Sequence, residues 1–261
     1  MGSATSQARA GIDEALQAQP QAGLEDAREL FRASRAIGRS SQVLTALADP
    51  VSTPDARAAL AERVLGALGA PTVSIVAHLA RQRWSDADDI LEAIDAAGIR
   101  VAVRAAGEQD VAGEIASFQR IVASDAELEL ALGGLRGTAD DKAKLVEQLL
   151  AGKSSEAAAV ILDHLVRAPR GRRIGALLRA AATEVAAAAG HALAIVTTAR
   201  EIPAAQLDRL RVGLEHQYGR SLQMQQIVDP AVLGGLRVSI GDDIIDGTVR
   251  SKFTDLRLQL G

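Results

Sequence analysis

Cysteine is absent from the 261 residues, and aromatic residues nearly so: Trp84, Tyr218, Phe31, Phe118 and Phe253 are the whole inventory. Without cysteine there are no disulfides, no thiol catalysis, no iron–sulfur cluster and no cysteine-based zinc site. With so few rings, alanine, leucine and valine must fill the core, and such cores belong to closely packed helices. No window approaches the ~20 uninterrupted apolar residues of a membrane-spanning helix, so direct membrane insertion is not expected. Residues 1–20 lack the basic stretch and apolar run of a secretory signal. An excess of basic charge is missing too: the net charge of -4 speaks against a nucleic-acid partner. The chain is expected to be soluble and cytoplasmic, or peripheral on something larger.

What is present divides near residue 190. Before it, apolar residues recur at helical spacing, and capping residues mark the starts. Thr53-Pro54 puts a capping threonine ahead of a first-turn proline and leads into Leu60 and Val64. Ser85-Asp86-Ala87-Asp88 reads as a capping box before the stripe Ile90, Ile94, Ala97 and Val101. Thr138-Ala139-Asp140-Asp141 caps a helix bearing Leu145, Val146, Leu149 and Leu150. A further helix shows Ala157, Val160, Ile161, His164, Leu165 and Ala168 on one face, and the next shows Ile174, Leu177, Leu178, Ala181 and Val185.

These helices repeat. Residues 59–84 match residues 143–170 in pattern, with Leu60 pairing Leu145, Val64 Leu149 and Ile75 Ile161. His78 pairs His164, Leu79 pairs Leu165 and Arg81 pairs Arg167, the register drifting by a residue or two. Phe31 and Phe118 open the corresponding upstream helices, and Ser85 and Gly171 begin the following ones. Two copies are too few for a solenoid, so a duplicated small helical domain is the reading. Past residue 190 the pattern is that of strands. Leu193–Thr198 and Leu236–Ile240 alternate, Leu222–Val228 reads as another strand ended by Asp229-Pro230, and Pro203 opens a helix bearing Leu207, Leu210 and Leu214. Gly241-Asp242 reads as a hairpin turn into Ile244-Ile245, and Asp246-Gly247 turns the chain into a last helix bearing Val249, Phe253, Leu256 and Leu260. The fold class is mainly α: two similar helical bundle units and a small α+β C-terminal domain, divided as 1–106, 107–190 and 191–261.

Catalytic chemistry is hard to assemble from these residues. His78, His164, His191 and His216 are scattered singly, and the recurring pair His78/His164 reads as packing histidines at the bundle edge. Ala151-Gly152-Lys153-Ser154 imitates the end of a phosphate loop, but Glu147 stands where the loop needs its first glycine. Gly152 is better read as a helix C-cap, with Ser154 or Ser155 starting the next helix. Gly133-Gly134-Leu135-Arg136-Gly137 has no flanking strand, and the carboxylates Asp86, Asp88 and Asp89 sit at a helix start, where they complement the macrodipole. No enzyme, cofactor or metal is expected. Arg167, Arg170, Arg172, Arg173 and Arg179 form the densest basic stretch, a candidate partner surface or a solvated helix end.

Residues Ile227-Val228-Asp229-Pro230-Ala231-Val232-Leu233-Gly234-Gly235-Leu236-Arg237-Val238, followed by Ile240-Gly241-Asp242-Asp243-Ile244-Ile245-Asp246-Gly247-Thr248-Val249, resemble the end of the delta subunit of F-type ATP synthase. Its mitochondrial counterpart is the oligomycin-sensitivity-conferring protein. The family run is VDPxLxGGxxVxxGDxxIDGSV, and Thr248 replaces the usual serine. The resemblance covers about residues 107–261, and the added helical unit before it resembles the long form of actinobacteria. It implies a non-catalytic stator subunit joining the α/β head to the peripheral stalk and resisting rotor torque, one copy per complex, on the cytoplasmic face of the bacterial membrane. It also implies that a helical bundle receives the N-terminal helix of an α subunit while the C-terminal part engages a b-type stalk. The family-pattern residues Asp229, Pro230, Gly234, Gly235, Gly241, Asp242, Asp246 and Gly247 read as structural. Gly234 and Gly235 suggest a bulge or close backbone approach, and Asp246-Gly247 suggests a turn needing positive φ. The competing reading is a free-standing helical adaptor that has kept the fold without the synthase.

Overall fold

The computed structural model describes residues 3–134, 137–219, 221–232, 234–240 and 243–247. Its helices begin with α1 (Ser3–Gln17), α2 (Leu24–Gly38), α3 (Ser41–Ala48), α4 (Pro54–Leu65), α5 (Ala70–Arg81) and α6 (Asp88–Ala106). They continue with α7 (Val111–Ser124), α8 (Ala126–Gly133), α9 (Ala139–Leu150), α10 (Glu156–Arg167) and α11 (Ile174–Ala188). Strand β1 (Ala192–Thr198), helix α12 (Ala204–Tyr218), and strands β2 (Leu222–Val228), β3 (Leu236–Ile240) and β4 (Asp243–Asp246) follow. Contacts divide the chain into Met1–Val185 and Ala186–Gly261, a division inside α11 a few residues before the expected change of character. The expected last helix, with Val249, Phe253, Leu256 and Leu260, lies outside the described residues.

In the first unit the duplication is explicit. Helices α3 and α8 have 8 residues each; α4, α9, α5 and α10 have 12 each. Helices α2 and α7, of 15 and 14 residues, carry Phe31 and Phe118 at the same interior position rather than at their openings, and both rings are buried. The caps repeat as well. Thr53 accepts from Ala56 N at 3.2 Å with Pro54 following, and Thr138 closes a capping box with Asp141. Helices from both copies share this one compact unit: α10 packs on α6, α7 and α2.

Two expectations change. The core face of α4 is Arg57, Ala58, Ala61 and Leu65, that of α9 is Lys142, Ala143 and Val146, while Val64 is 44% exposed and Leu145 and Leu149 only half-buried. A cation has taken a core position in each copy. Arg57, 3% exposed, donates to the carbonyls of Ala80 (2.8 Å), Asp49 (3.1 Å), Ser52 (2.6 Å), Arg81 (2.9 Å) and Gln82 (3.1 Å). These are orphan acceptors at the end of α5 and in the loop before α4, where a positive charge complements the helix dipole. At the corresponding place Lys142 Nζ donates to Gly134 O at 2.6 Å. The second change is at α6, whose N-cap position falls on Ala87 with no side-chain bond; Asp86 Oδ1 accepts from Asp88 N at 2.9 Å instead.

The second unit is a four-stranded sheet ordered β2-β1-β3-β4. Strands β1 and β2 pair in parallel, joined through α12; β3 pairs antiparallel with β1 and with β4, the second pairing being the hairpin expected at Gly241-Asp242. Its core is Ala194, Val196, Leu214, Leu222, Val238 and Ile240, with Leu207 and Leu210 of α12 packed against it.

Candidate functional site

The family-pattern residues lie in the second unit and hold its turns. Asp229 N donates to Thr198 O at 2.8 Å, and its carboxylate accepts from Ala231 N at 2.9 Å, after which Pro230 has no N–H to satisfy. Gly234 and Gly235 both have positive φ, 72° and 78°, so the backbone there needs glycine for its conformation. Gly247 is the reverse case. Its φ is not positive; its N–H donates to Leu236 O at 2.9 Å, and a Cβ would sit 3.3 Å from that oxygen. Close approach, not turn conformation, is therefore what favours glycine at 247. Asp246 pairs with Arg237 across the β3–β4 ladder at 3.0 Å. Gly241 and Asp242 lie outside the described residues.

In the first unit the polar chemistry gathers where the two copies meet. The Phe31 ring of α2 stacks on the His164 imidazole of α10, centroids 4.2 Å apart and planes 10° apart. His164 is 1% exposed; its Nδ1 lies 3.1 Å from Arg35 Nη1 and its Nε2 lies 2.8 Å from Asp95 Oδ1 on α6. A guanidinium only donates, so Nδ1 accepts and Nε2 carries the hydrogen directed at the carboxylate. Arg170 completes the cluster, with Nη1 2.6 Å from Asp95 Oδ2 and Nη2 2.6 Å from Ser34 Oγ, while Ser34 donates to Asp95 at 2.6 Å. Arg170 has a φ of 44°, a left-handed conformation costing roughly 1 kcal/mol in a non-glycine residue. Burial alone would raise the Asp95 carboxyl; the His164 and Arg170 groups outweigh it and hold the pKa down at about 2.

Further pairs join the copies: Arg28 to Glu156, Arg172 to Glu92 at 3.1 Å, and Arg100 to Glu184 at 2.9 Å. The five arginines singled out in the sequence are thus divided. Arg170 and Arg172 face carboxylates of the first copy, and Arg167 holds Asp163 at 2.8 Å as well as Asp140. Arg173 and Arg179 have no ion-pair partner among the described residues. His164 has its nitrogens satisfied, as expected of a packing histidine, but at the buried junction rather than at an edge. Its counterpart His78 is partly exposed, 3.7 Å from Glu14 and 3.4 Å from the Gln82 amide. No group of acidic or histidine residues suited to a metal ion occurs among the described residues.

Beside the cluster a groove of about 680 Å³ runs between α2, α9 and α10. The phosphate-loop imitation borders it but binds no phosphate by geometry. Gly152 sits past the end of α9 with φ 68°, and the start of α10 is satisfied by the Ser155 side chain together with Glu114, 2.9 Å from Ser155 N. Sequence reading missed Arg35 and Asp95, because their partners are in the other copy. The available signal was Asp95 itself, a carboxylate beside the apolar stripe of α6.

Comparison of the sequence with known proteins finds relatives. The profile of the family described as ATP synthase delta (OSCP) subunit matches residues 95–260. A protein of Leifsonia xyli named ATP synthase subunit delta is 45% identical over 100% of this chain and 99% of its own length. Proteins of the same name from Streptomyces griseus (36% identical, 88% of this chain and 86% of theirs) and Nocardioides sp. (37%, 90% and 86%) are also similar. A solved chain from the Toxoplasma gondii mitochondrial ATP synthase hexamer aligns with 64% of this chain and 96% of its own at 18% identity. Its TM-score of 0.39 is too low to carry an argument.

Proposed function

This chain belongs to the ATP synthase delta (OSCP) subunit family and is a non-catalytic peripheral-stalk subunit of the F-type ATP synthase; on that premise we propose how it serves as the stator link. One copy ties the catalytic α/β head to a b-type stalk at the cytoplasmic face of the bacterial membrane. Residues 107–190 receive the N-terminal helix of an α subunit, residues 191–261 engage the b stalk, and residues 1–106 form an additional helical unit. The observation that carries the reading is the full-length likeness to the Leifsonia xyli delta subunit. Among the described residues no helix is long and apolar enough to cross a membrane, which suits a link attached through other subunits.

The physical task is to transmit torque without chemistry. Packed helices with a satisfied polar junction resist deformation better than loops, because close-packed interiors have low compressibility. Receiving a partner helix in a groove is driven by apolar burial. Contacts at two places on one complex raise each other's effective concentration, so neither needs extreme affinity. A tagged pull-down from source-cell membranes, with mass spectrometry, tests the assignment. Recovery of α, β and b subunits near equal stoichiometry with the head is expected for the stator. Recovery of the chain alone, from membranes that contain intact synthase, would instead identify a free-standing adaptor.

A further inference from the structure

We infer that the junction between the two copies is proton-sensitive: a proton taken up on His164 Nδ1 expels the Arg35 guanidinium and loosens α2 from α10. The imidazole at the junction is held neutral by its neighbours. Nδ1 accepts from Arg35 Nη1 at 3.1 Å, and Nε2 donates to Asp95 Oδ1 at 2.8 Å. A cationic imidazole donates from both nitrogens. The Nε2 bond survives that change and gains strength, because both of its partners are then charged. The Nδ1 bond does not survive, because two donors of like charge would face each other across 3.1 Å.

One of the two groups must move, and the surroundings decide which. The ring is pinned: it is buried, it stacks on Phe31, and its anchor Asp95 is held in turn by Arg170 and Ser34. The aromatic face it lies on tolerates a cation. Arg35 is held by less. Its bond to Nδ1 is its one side-chain hydrogen bond among the described residues, where it also makes no ion pair. Burial already disfavours its charge; Asp163 and Asp95 favour it, while Arg167 and Arg39 oppose it. Arg35 from α2, Asp95 from α6 and Arg170 from the segment after α10 are the charges around the ring; on α10 itself Asp163 and Arg167 pair with each other. Helices α7 and α9 also pack on α10, but neither sends a hydrogen bond or ion pair to His164 among the described residues. Two guanidiniums thus stand against one carboxylate, and a further positive charge is relieved when Arg35 leaves for the groove it borders. The Arg35–His164 bond lies inside the junction, whereas the Arg28–Glu156 pair, which also joins α2 to α10, is exposed. Acidification therefore softens the join between the copies. Its meaning for torque rests on the stator reading; the switch itself does not.

The test uses the full chain with nitrogen-labelled histidine, read by NMR, together with amide hydrogen exchange read by mass spectrometry. Both run from pH about 8 to about 5, the range that spans ordinary imidazole ionisation. At the upper end the His164 ring should be the Nε2–H tautomer. On acidification it should gain its second proton, and amides of α2 and α10 should exchange about tenfold faster after correction for the intrinsic pH dependence, while those of α4 stay unchanged. Arg35→Gln separates the switch from general acid loosening. Its amide can turn a hydrogen to the neutral ring or its oxygen to the cationic one, so this variant should take up the proton without faster exchange. Arg35 is only half-buried, so the variant should fold, and the wild-type readings stand without it. Four results would overturn the inference: an Nδ1–H tautomer at pH about 8, a ring still neutral at pH about 5, unchanged exchange of α2 and α10 in wild type, or undiminished acid-enhanced exchange in Arg35→Gln. Failure of the chain to copurify with the synthase would remove the stator reading and leave the switch.

Discussion

Arg57 and Lys142 occupy one position of the duplicated unit, yet they do different amounts of work. Arg57 satisfies carbonyls from two elements, whereas Lys142 reaches one. Replacing Arg57 by Met strands several buried acceptors at once and is expected to cost about 3 kcal/mol. Lys142→Met should cost about 1 kcal/mol, and urea denaturation of the two variants measures the difference. Asp95 gives a pH-dependent counterpart. Its folded pKa lies below the ordinary carboxylate value, so its contribution is fully present above pH ~4 and is lost as pH falls through about 2. Asp95→Asn should therefore cost about 2 kcal/mol at pH 7, with wild type and variant converging between pH 4 and 2. Urea midpoints that stay equally far apart over that range would contradict the assignment. Neither role was legible in sequence. A lone arginine or lysine on a helix reads as solvated, and Asp95 and His164 are separated by a whole copy of the repeat.

Helices α2 and α6 meet through a glycine that helix propensity would reject. A Cβ at Gly98, within α6, would lie 2.6 Å from Phe31 Cε1, so the backbone there makes room for the ring that also stacks on His164. Gly98→Ala should destabilise the protein despite an intrinsic gain of about 1 kcal/mol from helix propensity. In Phe31→Leu the same substitution should become nearly neutral, and a double-mutant cycle from denaturation midpoints measures that coupling. At this scale much was readable. Thr53-Pro54, Thr138 with Asp141, and Gly152 with Ser155 are local signals whose partners lie within four residues, and the structure uses all of them. The strands at 222–228 and 236–240 have the bounds expected of them to the residue. The core faces of α4 and α9 were displaced because apolar residues occupy two adjacent faces, and the buried cation marks the inner one. Gly234 and Gly235 were recognised as necessary, but a sequence cannot distinguish positive φ from close approach.

The duplication is the feature of the whole molecule that sequence shows and only structure explains. Equal helix lengths follow from the repeat; the Asp95–His164–Arg170 cluster and the pairs from Arg28, Arg100 and Arg172 do not, because they join unlike helices of the two copies. A fragment of residues 107–190 alone would leave His164 and Arg170 without their partners. It should melt without cooperativity in calorimetry, whereas residues 1–190 should show one cooperative transition. Independent, unshifted melting of 107–190 would mean that the junction contributes little.

The central claim is that this chain transmits torque and performs no catalysis. The most direct measurement compares proton-driven ATP synthesis with ATP hydrolysis in membranes from cells depleted of the chain, before and after adding it back. Hydrolysis by the catalytic head is expected to survive depletion, while synthesis is lost and returns with the purified chain. Synthesis that persists without the chain, or hydrolysis that vanishes with it, would contradict the account.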